Sequence, residues 1–561
     1  MFDIQKIPFS RYGSFITISP NHQEKGDGAL YIRNIRNGDN DFGEVFKIEL
    51  VWEGKIQSYK STLKPSFLLL ESAEGYVEFC ITDANVLQIR SKGIGVRLTG
   101  ITGAYDYAVM VESDRWEVNH SSQEMRYMIA SVKGLIEMDA PFIEQRCDKI
   151  IADLLPDSIG AEMECVIEEF TTIYHPRSYP AFEDGRMAVK RDFEAWVHNT
   201  LPLPEEYSSG KDLAAYITWS CVVPAEGILT RPAMYMSKNW MTNIWSWDHC
   251  FNAMALAKKS PELAWDQFMI FFDLQDTTGM LPDFVNNRFA LWNFTKPPIH
   301  GWTLKRIWEQ SDYVTVEKLL EVYEPLKKWT NWWMTYQDSD HDGIPQYNHG
   351  NDSGWDNSTI FHKGTPVESP DLSSFLVLQM EVLADIAGKI GKKDEAEEWR
   401  LQSKQLLTGM IEHFWDGERF TAIRSGTHEV IESDSLVLSI PLILGKRLPG
   451  DILEKLIEGI RDKGFLTKYG LATELPSSSF YREDGYWRGP IWAPTTLLIV
   501  DGLLSAGEQE LGLEIARRFC AMATKSGMAE NYNALTGESL RDPAFTWTSS
   551  VFLILGYLLY K

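Results

Sequence analysis

From about residue 10 to residue 175 apolar and polar residues trade places at every second position. The pattern is clear in Ser14-Phe15-Ile16-Thr17-Ile18, Glu44 to Val51, Tyr76 to Ile81, Gly95-Val96-Arg97-Leu98 and Tyr107 to Val111. A period of two turns one face of a strand inward and the other outward. Asn37-Gly38, Glu74-Gly75 and Lys92-Gly93 supply turns at short, even intervals. An antiparallel β-sandwich is therefore predicted over residues 1–180. Pro176, Pro180, Pro202 and Pro204 mark the following stretch, 181–210, as a linker.

Beyond residue 210 the period lengthens to that of an amphipathic helix. In 394–414, for example, Ala396, Trp399, Leu406, Leu407, Met410 and Phe414 fall on one stripe. Twelve such segments are predicted, near 211–223, 246–258, 262–275, 301–313, 316–337, 371–390, 393–415, 434–445, 450–462, 490–506, 509–526 and 545–560. A dozen helices with alternating short and long connections suit two concentric layers, an all-α (α/α)6 toroid barrel over 211–561. The long connections, 276–300, 338–370 and 463–489, hold most of the aromatic and acidic residues and would gather at one mouth. Loops held by a rigid scaffold are where chemistry is expected.

Composition narrows the partners. With 561 residues, 44% of them hydrophobic, the chain can bury a large core. Its formal charge of -25 repels phosphate backbones and anionic lipid surfaces, so neither nucleic acid nor membrane is an expected partner. A neutral ligand is favoured. Tryptophan is the informative count: of 20, only Trp52 and Trp116 precede residue 196, so the two halves differ in kind. Indole rings serve equally for packing helices and for stacking on sugars. No basic segment leads into an apolar run after Met1, so no signal peptide is expected. The six cysteines are scattered with no C-x-x-C, which fits free thiols in the cytoplasm.

Four loop clusters can carry chemistry. In Asn348 to Ser358, Asp356 follows Trp355, and a carboxyl lodged by an indole can have its pKa raised and hold a proton for a leaving group. Glu530, in Gly527 to Gly537, has small and aromatic neighbours and no cation at helical spacing. In Asp484 to Trp492, Pro490 can open a helix, leaving Trp487, Arg488 and Trp492 at its mouth to stack and hydrogen-bond a pyranose ring. Asp248, in Asn239 to His249, is either a helix N-cap or an acceptor for sugar hydroxyls. Asp352, Glu368, Asp371, Glu474 and Asp484 compete for the acidic roles and rank lower.

Together these clusters resemble glycoside hydrolase family 63 and its relatives among trehalases and glucoamylases, inverting enzymes on an (α/α)6 barrel. The resemblance spans roughly 205–561 and is most specific in Gly354-Trp355-Asp356-Asn357-Ser358 and Tyr486-Trp487-Arg488-Gly489-Pro490-Ile491-Trp492. It implies Asp356 as general acid and Glu530 as general base. It also implies that Trp247, Asp248, Arg288, Gln310, Trp487 and Arg488 line the terminal-sugar subsite, with Trp355 and Trp492 as further aromatic contacts. Inversion needs the two carboxyl groups about 6.5 to 9.5 Å apart, with water between base and anomeric carbon. The expected activity is hydrolysis of an α-glucosidic bond in an oligosaccharide or small glucoside. A disaccharide phosphorylase and a silent carbohydrate-binding protein are the alternatives.

The run Asp338-Ser339-Asp340-His341-Asp342-Gly343-Ile344 fits the first half of a D-x-D-x-D-G calcium loop. Asp338, Asp340, Asp342 and Ile344 are the candidate ligands, and related hydrolases carry a calcium loop near here. His349 stands where the closing glutamate of an EF-hand would be, and an acidic surface turn is the other reading. No organic cofactor is expected.

Overall fold

The computed structural model describes residues 1–21, 28–158 and 160–561. The alternating half folds as two antiparallel sheets. One runs in the order Ile16–Pro20, Leu30–Asn34, Glu44–Trp52, Gly95–Gly100, Ile151–Leu155, Leu135–Asp139, with Lys55–Gln57 paired to Glu44–Trp52. The other runs Tyr107–Glu112, Arg115–His120, Met125–Lys133, Glu162–Phe170, Val86–Lys92, Tyr76–Asp83, Phe67–Glu71, Lys60–Lys64. Register follows the predicted alternation: Ile48 pairs Leu98 and Phe79 pairs Ile89, and all four are buried. Such cross-strand apolar pairs are the unit of sheet stability.

The predicted linker is not a plain connector, because Phe182–His198 within it is a 17-residue helix. The prolines that suggested a linker lie outside this helix. Only Phe182, Gly185 and Val189 of it are buried, and Gly185 is close against Thr82 of the second sheet. Its apolar face is thus too narrow to stand out in sequence.

Each of the twelve predicted helical segments falls on a helical element, most within three residues at either end. The exception in type is Leu436–Arg447, which is 3-10 because Pro441 lacks an N–H and Gly445 adopts φ 54°. Six elements close a ring. Asp248–Leu256, His300–Gln310, Pro370–Lys389, Leu436–Arg447, Ala493–Ala506 and Thr546–Tyr560 each pack on the next, and the last packs on the first. Most of these ring elements are buried nearly all round, as every residue of Asp248–Leu256 is, although His300–Gln310 leaves one side open. Helices outside the ring, such as Lys393–Phe414, keep a single buried stripe and expose the rest. The segments just before five ring elements, in places with their first residues, converge on one cavity. Among the described residues no helix is long and apolar enough to cross a membrane.

Candidate active site

The cavity holds about 610 Å³ including its open mouth. Asp248 stands at the first residue of its helix, and Lys296 lies four residues before the next ring helix. Asn351, Gly354 and Asp356 come from the loop before Pro370–Lys389. Tyr486, Trp487 and Trp492 precede Ala493–Ala506, Phe545 and Trp547 flank the start of the last ring helix, and Glu530 comes from the 527–533 loop. Met241, Trp245 and Trp247 complete the wall.

Stacked indoles shape the floor. Trp487 and Trp492 lie parallel, 4.0 Å between centroids and 4° between planes. Trp547 stands edge-on to Trp247 at 5.8 Å and to Trp492 at 5.4 Å. Gly354 has φ 71°, and a Cβ there would meet the Trp247 ring at 2.5 Å, so the loop can approach the indole only with glycine. Tyr486 also has a positive φ, 62°, without being glycine. Residues held in that region cluster at functional sites.

The two predicted catalytic carboxyl groups both line this cavity. Burial raises the pKa of Asp356, while the Lys296 ammonium, 3.9 Å from its Oδ1, works the other way. Glu530 is 4% exposed. Burial pushes its pKa up to about 8, the Asp542 charge adds to this, and the main chain of Asp542, Arg541 and a hydrogen bond from Tyr486 oppose it. Burial also holds Asp248 well above the ordinary carboxylate range, with Lys296 opposing.

Lys296 is not among the residues expected from sequence. Its Nζ donates to the carbonyl of Asn351 at 2.7 Å and to Asn351 Oδ1 at 2.6 Å, and it pairs with Asp283 Oδ1 at 3.1 Å. Burial disfavours its charge, but Asp283, Asp356 and Asp248 outweigh that and its pKa is raised. Asn351 Nδ2 in turn donates to Asp283. The one sequence signal is its place before Pro297-Pro298 at a helix start, which is no signature of a site. Tyr486 sits in a cluster already singled out, yet nothing local marks it as facing both Asp356 and Glu530.

Four predicted subsite residues are placed elsewhere. Gln310 is the last residue of His300–Gln310 and lines a different cavity with Arg306, Asp501 and Leu555, at the helix end remote from the site. Arg288 donates to the carbonyl of Gln123 and lies 3.4 Å from Glu124, so it ties the helical region to the β region. Trp355 is buried behind Trp487, 5.0 Å between centroids, and does not line the cavity. Arg488 spends its Nε on the carbonyl of Asn357, whose side chain also bridges Gly485 and Trp487. It straps two site loops together. Trp247, Asp248, Trp487 and Trp492 do line the cavity.

The competing carboxylates have other partners. Asp352 caps its own turn and accepts from the N–H of Thr295. Asp371 accepts from Ser369 and Tyr347, Glu474 from Thr359 and Ser478, and Asp484 from Arg541.

In the acidic loop, Asp340 and Asp342 converge with Glu368 and His428, their ligand atoms all within 4.8 Å of one another. Glu368 and His428 are members that the loop motif does not predict. Asp338 accepts from the N–H of Gly343, and Ile344 donates its N–H to Asp342. Asp338 Oδ1, Asp340 Oδ1 and Glu368 Oε1 are buried with no hydrogen-bond partner. A second group, His249, Cys250 and His300, lies in the helix core. Nδ1 of His300 already accepts from Trp329, which leaves that ring poorly suited to ligation.

Aromatic walls, buried carboxyl groups and a cavity at the loop end of a helical ring are features that stacking on a sugar and proton transfer to it require. Residues 241–548 match the family model described as the mannosylglycerate hydrolase MGH1-like glycoside hydrolase domain. The chain belongs to this family and is a glycoside hydrolase, in keeping with the resemblance to family 63. The glucosylglycerate hydrolase of Mycolicibacterium hassiacum is 25% identical over 412 residues, covering 55% of this chain and 91% of that protein. The mannosylglycerate hydrolase of Thermus thermophilus is 21% identical over 391 residues, 55% and 93% respectively. A crystal structure of the family 63 mannosylglycerate hydrolase from Thermus thermophilus, in complex with Tris, superposes with TM-score 0.54 at 20% identity, over 61% of this chain and 98% of that one. A bacterial glucoamylase complexed with acarbose gives TM-score 0.63 at 12% identity over 99% of this chain and 94% of that one, a likeness of fold.

Proposed function

We propose that the protein is an inverting α-glucosidase acting on a small neutral glucoside or oligosaccharide. Asp356 is the general acid and Glu530 the general base. The observation that carries this reading is the presence of both carboxyl groups on one aromatic cavity that belongs to a glycoside hydrolase domain. The closed ring of six elements supports an (α/α)6 barrel over 211–561, preceded by a β-sandwich domain over 1–180. The proton on Asp356 passes to the glycosidic oxygen while Glu530 takes a proton from water on the opposite ring face. Proton NMR of the fresh product should show the β-anomer of glucose first, and an initial α-anomer would refute inversion.

Lys296 bears on the substrate. An ammonium group has three N–H donors; here two go to Asn351, and the charge is paired with Asp283. It is the one cation among the described residues lining the cavity. Phosphate as a nucleophile would need a free cation, so hydrolysis is favoured over phosphorolysis. By the same argument a neutral aglycone suits this site better than glycerate. Glucosylglycerol should be cleaved faster than glucosylglycerate, which differs from it by one carboxylate; the reverse order would refute a neutral aglycone.

We further propose a calcium ion at the acidic loop, held by Asp340, Asp342 and Glu368 with Asp338 and Ile344 adjacent. The orphaned buried oxygens of Asp338, Asp340 and Glu368 fit a hard cation that takes oxygen ligands. Its role is structural: Gln346–Tyr347, just after this loop, pairs with Val367–Glu368, and the Asp356 loop lies between the two strands. Six free, buried cysteines support a cytoplasmic location.

A further inference from the structure

One residue of the β region reaches into the support of the catalytic cavity. Arg33 lies in strand Leu30–Asn34 where its pairing with Glu44–Trp52 slips, between Ile32 and Arg33. A bulge of this kind re-aims a side chain out of the regular alternation. The Arg33 side chain is buried and crosses to the helical region. Nη1 donates to the carbonyl of Lys238 at 3.0 Å and Nη2 to that of Asn239 at 2.6 Å. On the β side, Nε holds the carbonyl of Phe42 at 2.6 Å and Nη1 holds Ser19 Oγ at 2.8 Å. Burying a guanidinium is costly, and this one is spent on fastening a turn.

The turn leads directly to the proposed base. Asn239 is fully buried, and its amide nitrogen donates to the carbonyl of Lys6 and to Asp542 Oδ1, both at 3.0 Å. The main-chain carbonyl of Asp542 accepts the N–H of Glu530 at 2.7 Å. Two residues beyond Asn239, Met241 lines the cavity, and the carbonyl of Met236 accepts the N–H of Thr546, next to Phe545 in the cavity wall.

We propose that the β region is a working part of the active site and that Arg33 is a positioning residue. It fixes the 237–241 turn and, through Asn239 and Asp542, the seat of Glu530. The proposal rests on the role given to Glu530 above. Arg33 and Asn239 both lie outside the family-matched segment, which begins at residue 241.

Hydrogen exchange by mass spectrometry on the full-length protein, paired with kinetics on an aryl α-glucoside, tests it. In Arg33→Met, amides of 528–532 and 237–243 should exchange about tenfold faster or more, while the remote strands 107–120 stay as in wild type. kcat should fall about tenfold to a hundredfold with KM nearly constant, and Arg33→Lys should recover part of the loss. Should Arg33→Met fail to fold, Asn239→Leu breaks the same path from the other side and is read in the same way. Faster exchange confined to 30–44, with 528–532 and kcat unchanged, overturns the clamp. A wild type that cleaves no α-glucoside overturns the reading of function instead, and the exchange data still decide the clamp.

Discussion

Asp356 and Glu530 face one cavity from two different walls. Asp356 has a cation within 4 Å and a side chain about one third exposed, whereas Glu530 is almost wholly buried and feels the charge of another carboxylate, Asp542. One wall compensates charge and the other penalises it. Inverting hydrolysis needs such an asymmetry, since one group must hold a proton while the other has lost it. Burial raises both groups, however, so the shifts by themselves do not assign the roles. The group named as base is pushed up to about 8, and the group named as acid is the one beside a lysine. The assignment can be resolved by experiment.

The largest effects should come from the carboxyl groups themselves. Asp356→Asn and Glu530→Gln should each lower kcat by about 10²–10⁴ on an ordinary α-glucoside. On α-glucosyl fluoride, whose leaving group departs without a proton, Asp356→Asn should stay active and Glu530→Gln should not. The opposite pattern would exchange acid and base.

Lys296→Met should act next in size. It removes the cation that favours ionised Asp356, so the acid keeps its proton longer and the alkaline limb of kcat/KM against pH moves upward. Breaking a buried pair costs about 3–5 kcal/mol, so a marked fall in Tm should accompany it. An unmoved limb would show that the ammonium does not tune Asp356.

Stability against pH probes the other wall. The folded-state pKa of Glu530 lies above its unfolded value, at about 8 against 4.5. Between those values the folded protein binds more protons than the unfolded chain, so the contribution of Glu530 to stability is lost as pH rises. Glu530→Gln removes this loss. Its Tm advantage over wild type should grow from about pH 5 to about pH 8, then level off. A constant difference would mean that Glu530 is already ionised at neutral pH. The smallest effect concerns the acidic loop: millimolar calcium should raise Tm by about 2–4 °C, and Asp340→Asn should abolish the response.

Local pattern carried most of the fold. Alternation located the strands because one face of each sheet is buried, and the stripe at Ala396, Trp399 and Met410 located an outer helix because its other face is wet. Where burial is slight the pattern fails. The helix Phe182–His198 hides in a proline-flanked stretch because it buries only three residues. The cavity lining was legible where chemistry and local sequence coincide, as at Asp248 and Trp487. It was not legible where the partner is distant in the chain. Lys296 meets Asn351 55 residues away, and Arg33 meets Asn239 across 206. Gln310 and Trp355 failed for a related reason, since a motif gives neighbours in sequence but not which way each side chain faces.

The parallel pair Trp487 and Trp492 has a spectroscopic consequence. Two indoles 4.0 Å apart and nearly parallel couple their electronic transitions, so the folded enzyme should carry an exciton signature in its circular dichroism that a lone indole cannot give. Because one of the two rings belongs to the loop strapped by Asn357, that signal would report whether the loop is seated, without any substrate needing to turn over.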